Sequence, residues 1–115
     1  MHVYEPRNAA RDARVVTAAH PATEVLHDSA DARLVVFRFS PGQEVPLHRS
    51  MSTVTFTVLE GTGVLSGADG ERACGAGDVV VYAPDELHGM RASDAELLVL
   101  VMITPRPGSR GWTGR

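Results

Sequence analysis

From about residue 14 onwards, the chain is a series of short apolar runs rich in β-branched residues, and turn-forming residues end each run. The run 53–59 alternates threonine with apolar residues, which is the period of two expected of a half-buried strand. No long segment shows the 3.6-residue period of an amphipathic helix. Many short strands with close turns indicate an all-β sandwich or barrel. The strand-like runs are 14–17, 23–27, 33–39, 53–59, 79–82, 87–91 and 97–103.

The 115 residues are about the length of one domain. We expect the barrel domain to occupy residues 14–103, after a polar N-terminal segment, 1–13, with some helical character. Residues 104–115 are rich in proline, glycine and arginine, and this composition predicts a flexible C-terminal tail.

Composition excludes several functional classes. The net charge of −3 argues against a nucleic-acid partner, because such proteins carry a basic surplus. No apolar run approaches the roughly 20 residues that span a bilayer, so no membrane partner is expected. All 11 basic residues are arginine, which excludes lysine chemistry and suggests a GC-rich bacterial genome. Cys74 is the only cysteine, and a reducing cytoplasm is therefore the expected location.

Two stretches of the chain have the spacing of a known pair of motifs. The first contains a histidine between two glycines, and the second runs from a glycine to a histidine. On these motifs the chain resembles the cupin superfamily over about residues 23–103. The resemblance implies a jelly-roll barrel, also called a double-stranded β-helix, with a ligand or metal site inside it. The matching residues are Gly42, His48, Gly61, Gly77 and His88.

The chain departs from the family pattern at the residues that would hold a metal. The resemblance implies four ligands, but Ser50 replaces the second histidine and Val54 replaces the glutamate. Only His48 and His88 remain. Because catalytic metal sites generally need about three protein ligands, we expect the pair to hold a divalent transition metal (Fe, Mn, Ni or Zn) weakly. The alternative is a pair of hydrogen-bonded core histidines in a barrel without metal.

Strand alternation predicts the surroundings of the two histidines. The apolar residues of run 53–59 share the face of the lost glutamate position and should point into the barrel. An apolar cavity with a few polar groups is the usual composition of a small-molecule pocket, although the same residues could form a filled core. One tyrosine is also a candidate general acid. The candidate ligand-binding residues are Ser50, Val54, Phe56, Val58, Tyr82 and Met90.

Three functions stay open at this point. The first, which we expect, is a barrel that binds a small, largely apolar molecule. The second is a metal-dependent dioxygenase or isomerase with a third ligand from outside the motifs. The third is a metal-free isomerase or epimerase in which a histidine acts as a base near pH 7. No catalytic residue is assigned. The resemblance also implies a homodimer, and the threonines of run 53–59 form an outward stripe that could pack against a second subunit.

Overall fold

The structure is a computed structural model that describes residues 1–106. In that part of the chain, a short helix, α1 (Pro6–Asp12), precedes nine strands. The strands are β1 (Ala22–Asp28), β2 (Arg33–Phe39), β3 (Glu44–His48), β4 (Thr53–Glu60), β5 (Thr62–Gly67), β6 (Gly70–Gly75), β7 (Val79–Tyr82), β8 (His88–Ala92) and β9 (Leu97–Thr104).

The strands form two antiparallel sheets that face each other across the barrel interior. The five-stranded sheet has the order β1-β2-β9-β4-β7, and the four-stranded sheet has the order β3-β8-β5-β6. Most neighbours are distant in sequence, because the chain crosses repeatedly from one sheet to the other, as in a jelly roll. The predicted all-β jelly-roll barrel is therefore confirmed.

Strand alternation determines which residues fill the interior. In β4 the side chains of Val54, Phe56 and Val58 are buried, whereas the threonines between them are half-buried on the outer face. The pairing of β4 with β7 and β9 continues this inner layer across the five-stranded sheet. The core thus lies between the two sheets.

The helix α1 covers part of the outer face of the five-stranded sheet. Pro6 is tolerated there because its missing N–H falls in the first turn, where no intrahelical acceptor exists. Ala10 packs against Val36 and Leu98, and all three side chains are buried. Arg38 donates hydrogen bonds to the carbonyls of Ala10 and Arg11, at 2.8 and 2.7 Å, and so caps the C-terminal end of the helix. No helix within residues 1–106 has the length and apolar composition needed to cross a membrane.

Gly61 shows why the first motif ends on a glycine. Its φ of +89° lies in the left-handed region, which disfavours a residue with a Cβ. A Cβ at this position would also overlap the backbone carbonyl oxygen of Glu96. The glycine thus permits a tight turn between β4 and β5 beside the start of β9.

Two details at the ends of the predicted barrel differ from expectation. The run 14–17 does not form a strand, and Val15 and Val16 are exposed. β-branched composition alone is insufficient, because a strand also needs a hydrogen-bonding neighbour and a surface to bury. At the other end, β9 continues through Thr104, and the Ser52 hydroxyl donates to the Pro105 carbonyl at 2.6 Å. The tail beyond residue 106 lies outside the described residues.

Candidate functional site

A cavity of about 380 Å³ opens between the two sheets. This volume is within the usual range for sites that bind small molecules. Most of its lining is apolar, and the polar lining side chains are Thr23, Arg33, His48, Ser50 and His88. The apolar lining residues are Val25, Val35, Phe37, Phe39, Val45, Val54, Phe56, Met90, Val99, Val101 and Ile103.

The two histidines lie opposite each other on neighbouring strands of the four-stranded sheet. His48 is the last residue of β3 and His88 the first of β8, and the two are register partners. Their ring centroids are 4.1 Å apart. Simple alternation would put Val45 and His48 on opposite faces, but the register shifts between them, so both line the cavity.

Hydrogen bonds fix the orientation of both imidazole rings. The Nδ1 of His48 lies 2.9 Å from the Pro46 carbonyl oxygen, and the Nδ1 of His88 lies 3.1 Å from that of Glu86. A carbonyl oxygen only accepts, so these contacts assign the proton of each neutral ring to Nδ1. Each Nε2 then has a free lone pair, which can accept a hydrogen bond from a ligand or bind a metal ion.

The two rings differ in their exposure. His88 is 3% exposed, whereas His48 lies at the accessible rim of the cavity. Burial lowers the pKa of His88 below the ordinary value of 6.5, because removal from water disfavours the charged imidazolium. His88 is thus held neutral at pH 7.

Six of the eight residues that the sequence assigned to the site line the cavity, namely His48, Ser50, Val54, Phe56, His88 and Met90. Val58 and Tyr82 do not, and both lie in the buried core. The Tyr82 hydroxyl donates to the Ser66 carbonyl at 2.9 Å, and burial raises the pKa of the phenol. The structure therefore does not support Tyr82 as a general acid toward a ligand in the cavity.

Ser50 lines the cavity from a loop and not from a strand. Residues 48 and 50 would share one face if β3 continued, but β3 ends at His48 and Ser50 belongs to the following loop. The Ser50 hydroxyl oxygen accepts a hydrogen bond from the Ser52 backbone N–H at 3.0 Å. Ser50 thus lines the cavity while it also orders its own loop.

The residues present do not fit a complete metal centre. Among residues 1–106, no three His, Cys, Asp or Glu side chains come close enough together to hold a metal ion. The Glu86 carboxylate accepts a hydrogen bond from the Ala83 backbone N–H at 2.8 Å and so stabilises the turn before β8. The two imidazoles supply two nitrogen ligands, whereas catalytic metal sites generally use three protein ligands. They also supply no negative charge to offset that of the cation.

Arg33 is the functional candidate that sequence reasoning missed. It is register partner to Ile103 on β9, and Ile103 is register partner to Val54 on β4. Directly opposed residues in adjacent strands share a face, so all three side chains point inward. Strand alternation puts Arg33 on the same face of β2 as Phe39. Alternation alone does not identify that face as the inner one, because α1 also buries the other face.

Comparison with known proteins agrees with this geometry. The profile of the cupin-domain family matches residues 35–104. No significant match is found among curated proteins.

Similar solved structures include a conserved protein with a double-stranded β-helix domain from Klebsiella pneumoniae, with a TM-score of 0.80 and 22% identity, covering 92% of this chain and 91% of that one. An RmlC-like cupin protein from Desulfovibrio desulfuricans has a TM-score of 0.71 and 32% identity, covering 82% and 91%. A protein from Thermus thermophilus has a TM-score of 0.80 and 22% identity, covering 93% and 100%. With its two-sheet barrel, both motif histidines and a family match over most of its length, the chain belongs to the cupin superfamily.

Proposed function

We propose that this cupin binds a small, largely apolar molecule in the barrel cavity, with His48 and His88 as polar contacts. The observation that carries the proposal is a cavity of about 380 Å³ whose walls are mostly hydrocarbon and whose two imidazoles each present an Nε2. Apolar walls favour an apolar body, because its entry removes hydrocarbon surface from water. The Nε2 atoms orient the ligand by accepting hydrogen bonds.

A barrel with a purely structural role would not need such a space. Protein interiors are close-packed, and voids larger than a water molecule are few. Here large side chains such as Phe37, Phe39 and Phe56 border open space instead of closing it. The proposal of a binding site accounts for the cavity, whereas a filled core does not.

The neutral compound 2-naphthamide is a suitable first probe, because it combines an apolar body with hydrogen-bonding groups. Titration calorimetry should show saturable binding, and thermal unfolding should shift upward with probe concentration. Ile103 is only partly buried, so Ile103→Trp should fold while it obstructs the cavity, and it should abolish binding. Binding that survives in Ile103→Trp, or no binding of 2-naphthamide to the unaltered protein, would contradict the proposal.

A weakly held divalent metal is the second candidate, and the orientation of the imidazoles favours it. Histidines that hold metal ions commonly donate their other ring N–H to a carbonyl, as His48 and His88 both do. With two protein ligands, we expect Fe(II), Mn(II), Ni(II) or Zn(II) to bind reversibly and to be removed by a chelator. Calorimetric titration of each ion, with His48→Ala as the control, tests this. Tight binding that His48→Ala leaves unchanged would exclude the pair as the ligands.

We further propose that the protein forms a homodimer through the outer face of β4 and β7. Thr55 is register partner to Val81, and Thr57 to Val79. The two valines are 60% and 59% exposed, so this face presents apolar surface at a sheet edge. Light scattering should give twice the chain mass, and Val81→Arg should give the monomer mass. A monomer in the unaltered protein would contradict this assignment.

We propose a cytoplasmic location, because the single cysteine of the chain is buried and its thiol is protonated. Cys74 is the only cysteine and is buried, and burial raises the pKa of its thiol. A protonated, enclosed thiol without an intrachain partner suits a reducing compartment. Cell fractionation with an antibody against the protein tests the location.

A further inference from the structure

The cavity lining carries a positive charge at Arg33, and this limits the ligands that it can accept. Within residues 1–106, no aspartate or glutamate lines the cavity. The whole chain has a net charge of −3, so this positive charge is a local feature and not a reflection of overall composition. A cationic ligand would meet the Arg33 guanidinium in the cavity, and no carboxylate of the lining would attract it.

On this basis we propose that the natural ligand is a carboxylate with an apolar body, and that Arg33 binds its carboxylate group. The inference rests on the proposed function, since it names the class of molecule that occupies the same cavity. In this arrangement the carboxylate of the ligand lies at the start of β2, beside Arg33. The hydrocarbon part extends along Val35, Phe37 and Val101.

Arg33 forms an ion pair with Asp28, and Asp28 also binds a second arginine. Its Nε and Nη2 lie 3.4 and 3.5 Å from the carboxylate oxygens of Asp28, its register partner on β1. Arg106 binds the same carboxylate more closely, with its Nε 2.5 Å from an Asp28 oxygen. Two guanidinium groups thus bind the same carboxylate.

The neighbouring arginines determine the protonation state of Asp28. Hydrogen bonding from Arg106, with a further contribution from Arg33, lowers the pKa of the Asp28 carboxyl below its ordinary value of 3.8. Asp28 is therefore ionised near neutral pH and binds both arginines as a carboxylate. The long Arg33–Asp28 contacts leave Arg33 able to form shorter, charge-assisted hydrogen bonds with an entering ligand.

The chemistry of a single guanidinium favours a carboxylate over other anions. The planar fork of arginine matches the two oxygens of a carboxylate in a bidentate pair. A phosphate dianion would need further donors to replace its water, whereas the remaining walls are chiefly apolar. The side chain of Arg33 is 30% exposed, so it is partly removed from water and its attraction to an anion is screened less than at the open surface.

The test compares 2-naphthoate with 2-naphthamide, which differ in charge but hardly in shape. The unaltered protein should bind the carboxylate about tenfold or more tightly, as charge-assisted hydrogen bonds predict. Arg33→Gln should remove this preference, because it should weaken 2-naphthoate binding about tenfold and 2-naphthamide binding much less. Asp28→Asn should strengthen 2-naphthoate binding, because it removes a competing carboxylate.

Arg72→Gln is the matched control, because Arg72 is an exposed residue of β6 that does not line the cavity and its substitution makes the same charge change. It should keep the full preference for 2-naphthoate. Equal binding of the two probes by the unaltered protein, or a preference that persists in Arg33→Gln, would overturn the inference while the proposed function stands. Failure of 2-naphthamide to bind the unaltered protein would instead contradict the proposed function itself.

Discussion

The two ends of the barrel are built from the same strands but filled in different ways. At the closed end, buried apolar side chains pack against one another, whereas at the open end the same inner faces surround the cavity. The closed-end residues are Val58, Leu65, Cys74, Ala92 and Leu97, all of them buried. The open-end residues include Arg33, His48, Ser50, His88 and Ile103.

The difference between the two ends is clearest along individual strands, where an apolar residue at one position gives way to a polar residue at another. Along the inner face of β2, Phe39 is buried at the inner limit of the cavity and Arg33 lies at the open end. Along β8, Ala92 is buried near the closed end and His88 begins the strand at the cavity. The comparison teaches that close packing stabilises this barrel mainly at one end, which leaves the other end free to present polar groups.

The largest expected effect comes from truncating a large apolar side chain at the closed end, which tests whether this end is more closely packed than the open end. Leu97 is fully buried, and it packs so closely that a Cβ added at Gly63 would lie 2.8 Å from its Cδ2 atom. Leu97→Ala should therefore lower the free energy of unfolding by about 3 kcal/mol through lost burial and a new void. Urea denaturation measures the change.

Ile103→Ala is the matched substitution at the open end. Ile103 is half-buried and borders existing space, so its truncation should cost about 1 kcal/mol or less. Equal losses in Leu97→Ala and Ile103→Ala would show that both ends are packed alike and would contradict the distinction between them.

A second prediction concerns the rim of the open end. The Ser52 side chain is fully buried, and its hydroxyl donates to the Pro105 carbonyl at 2.6 Å. Ser52→Ala should cost about 1–2 kcal/mol in urea denaturation, because it leaves this carbonyl without its donor. Ser93→Ala is the control, because Ser93 is half-buried and its side chain forms no hydrogen bond within residues 1–106, and it should change stability little. A loss in Ser52→Ala no greater than in the control would mean that the hydrogen bond does not hold the rim.

Some of the inward-facing residues were predictable from sequence, and others were not. The alternation of β4 correctly identified Val54, Phe56 and Val58 as inward-facing, since a period of two has one simple interpretation. Motif spacing likewise located His48 and His88. Arg33 could not be assigned, because β2 is apolar on both faces and only the packing of α1 shows which face is outer. The bulge in β3 and the loop position of Ser50 also depend on strand pairing, which no local pattern encodes.

The smallest predicted effect is a dependence of stability on pH that originates at His88. Its pKa is lowered mainly by burial, and the groups that face it are His48, Tyr82 and Glu86. Because the unfolded chain takes up a proton near pH 6.5 and the folded chain does so only at lower pH, stability should decline as the pH falls below about 6.5. Above that pH, His88 is neutral in both states and contributes no slope.

Urea denaturation between pH 5 and 8, with a chelator present, measures this dependence. His88→Gln should flatten the curve between about pH 6.5 and the lower pKa of the folded protein. An unchanged slope in His88→Gln would assign the effect to another group.

The most direct measurement is a crystal structure of the protein soaked with 2-naphthoate. We expect the ring system between the two sheets at the open end, with its carboxylate within hydrogen-bonding distance of the Arg33 guanidinium, and the closed end around Leu97 unchanged. Density for the compound only on the outer surface, or a cavity closed by rearranged side chains in the soaked crystal, would contradict the account.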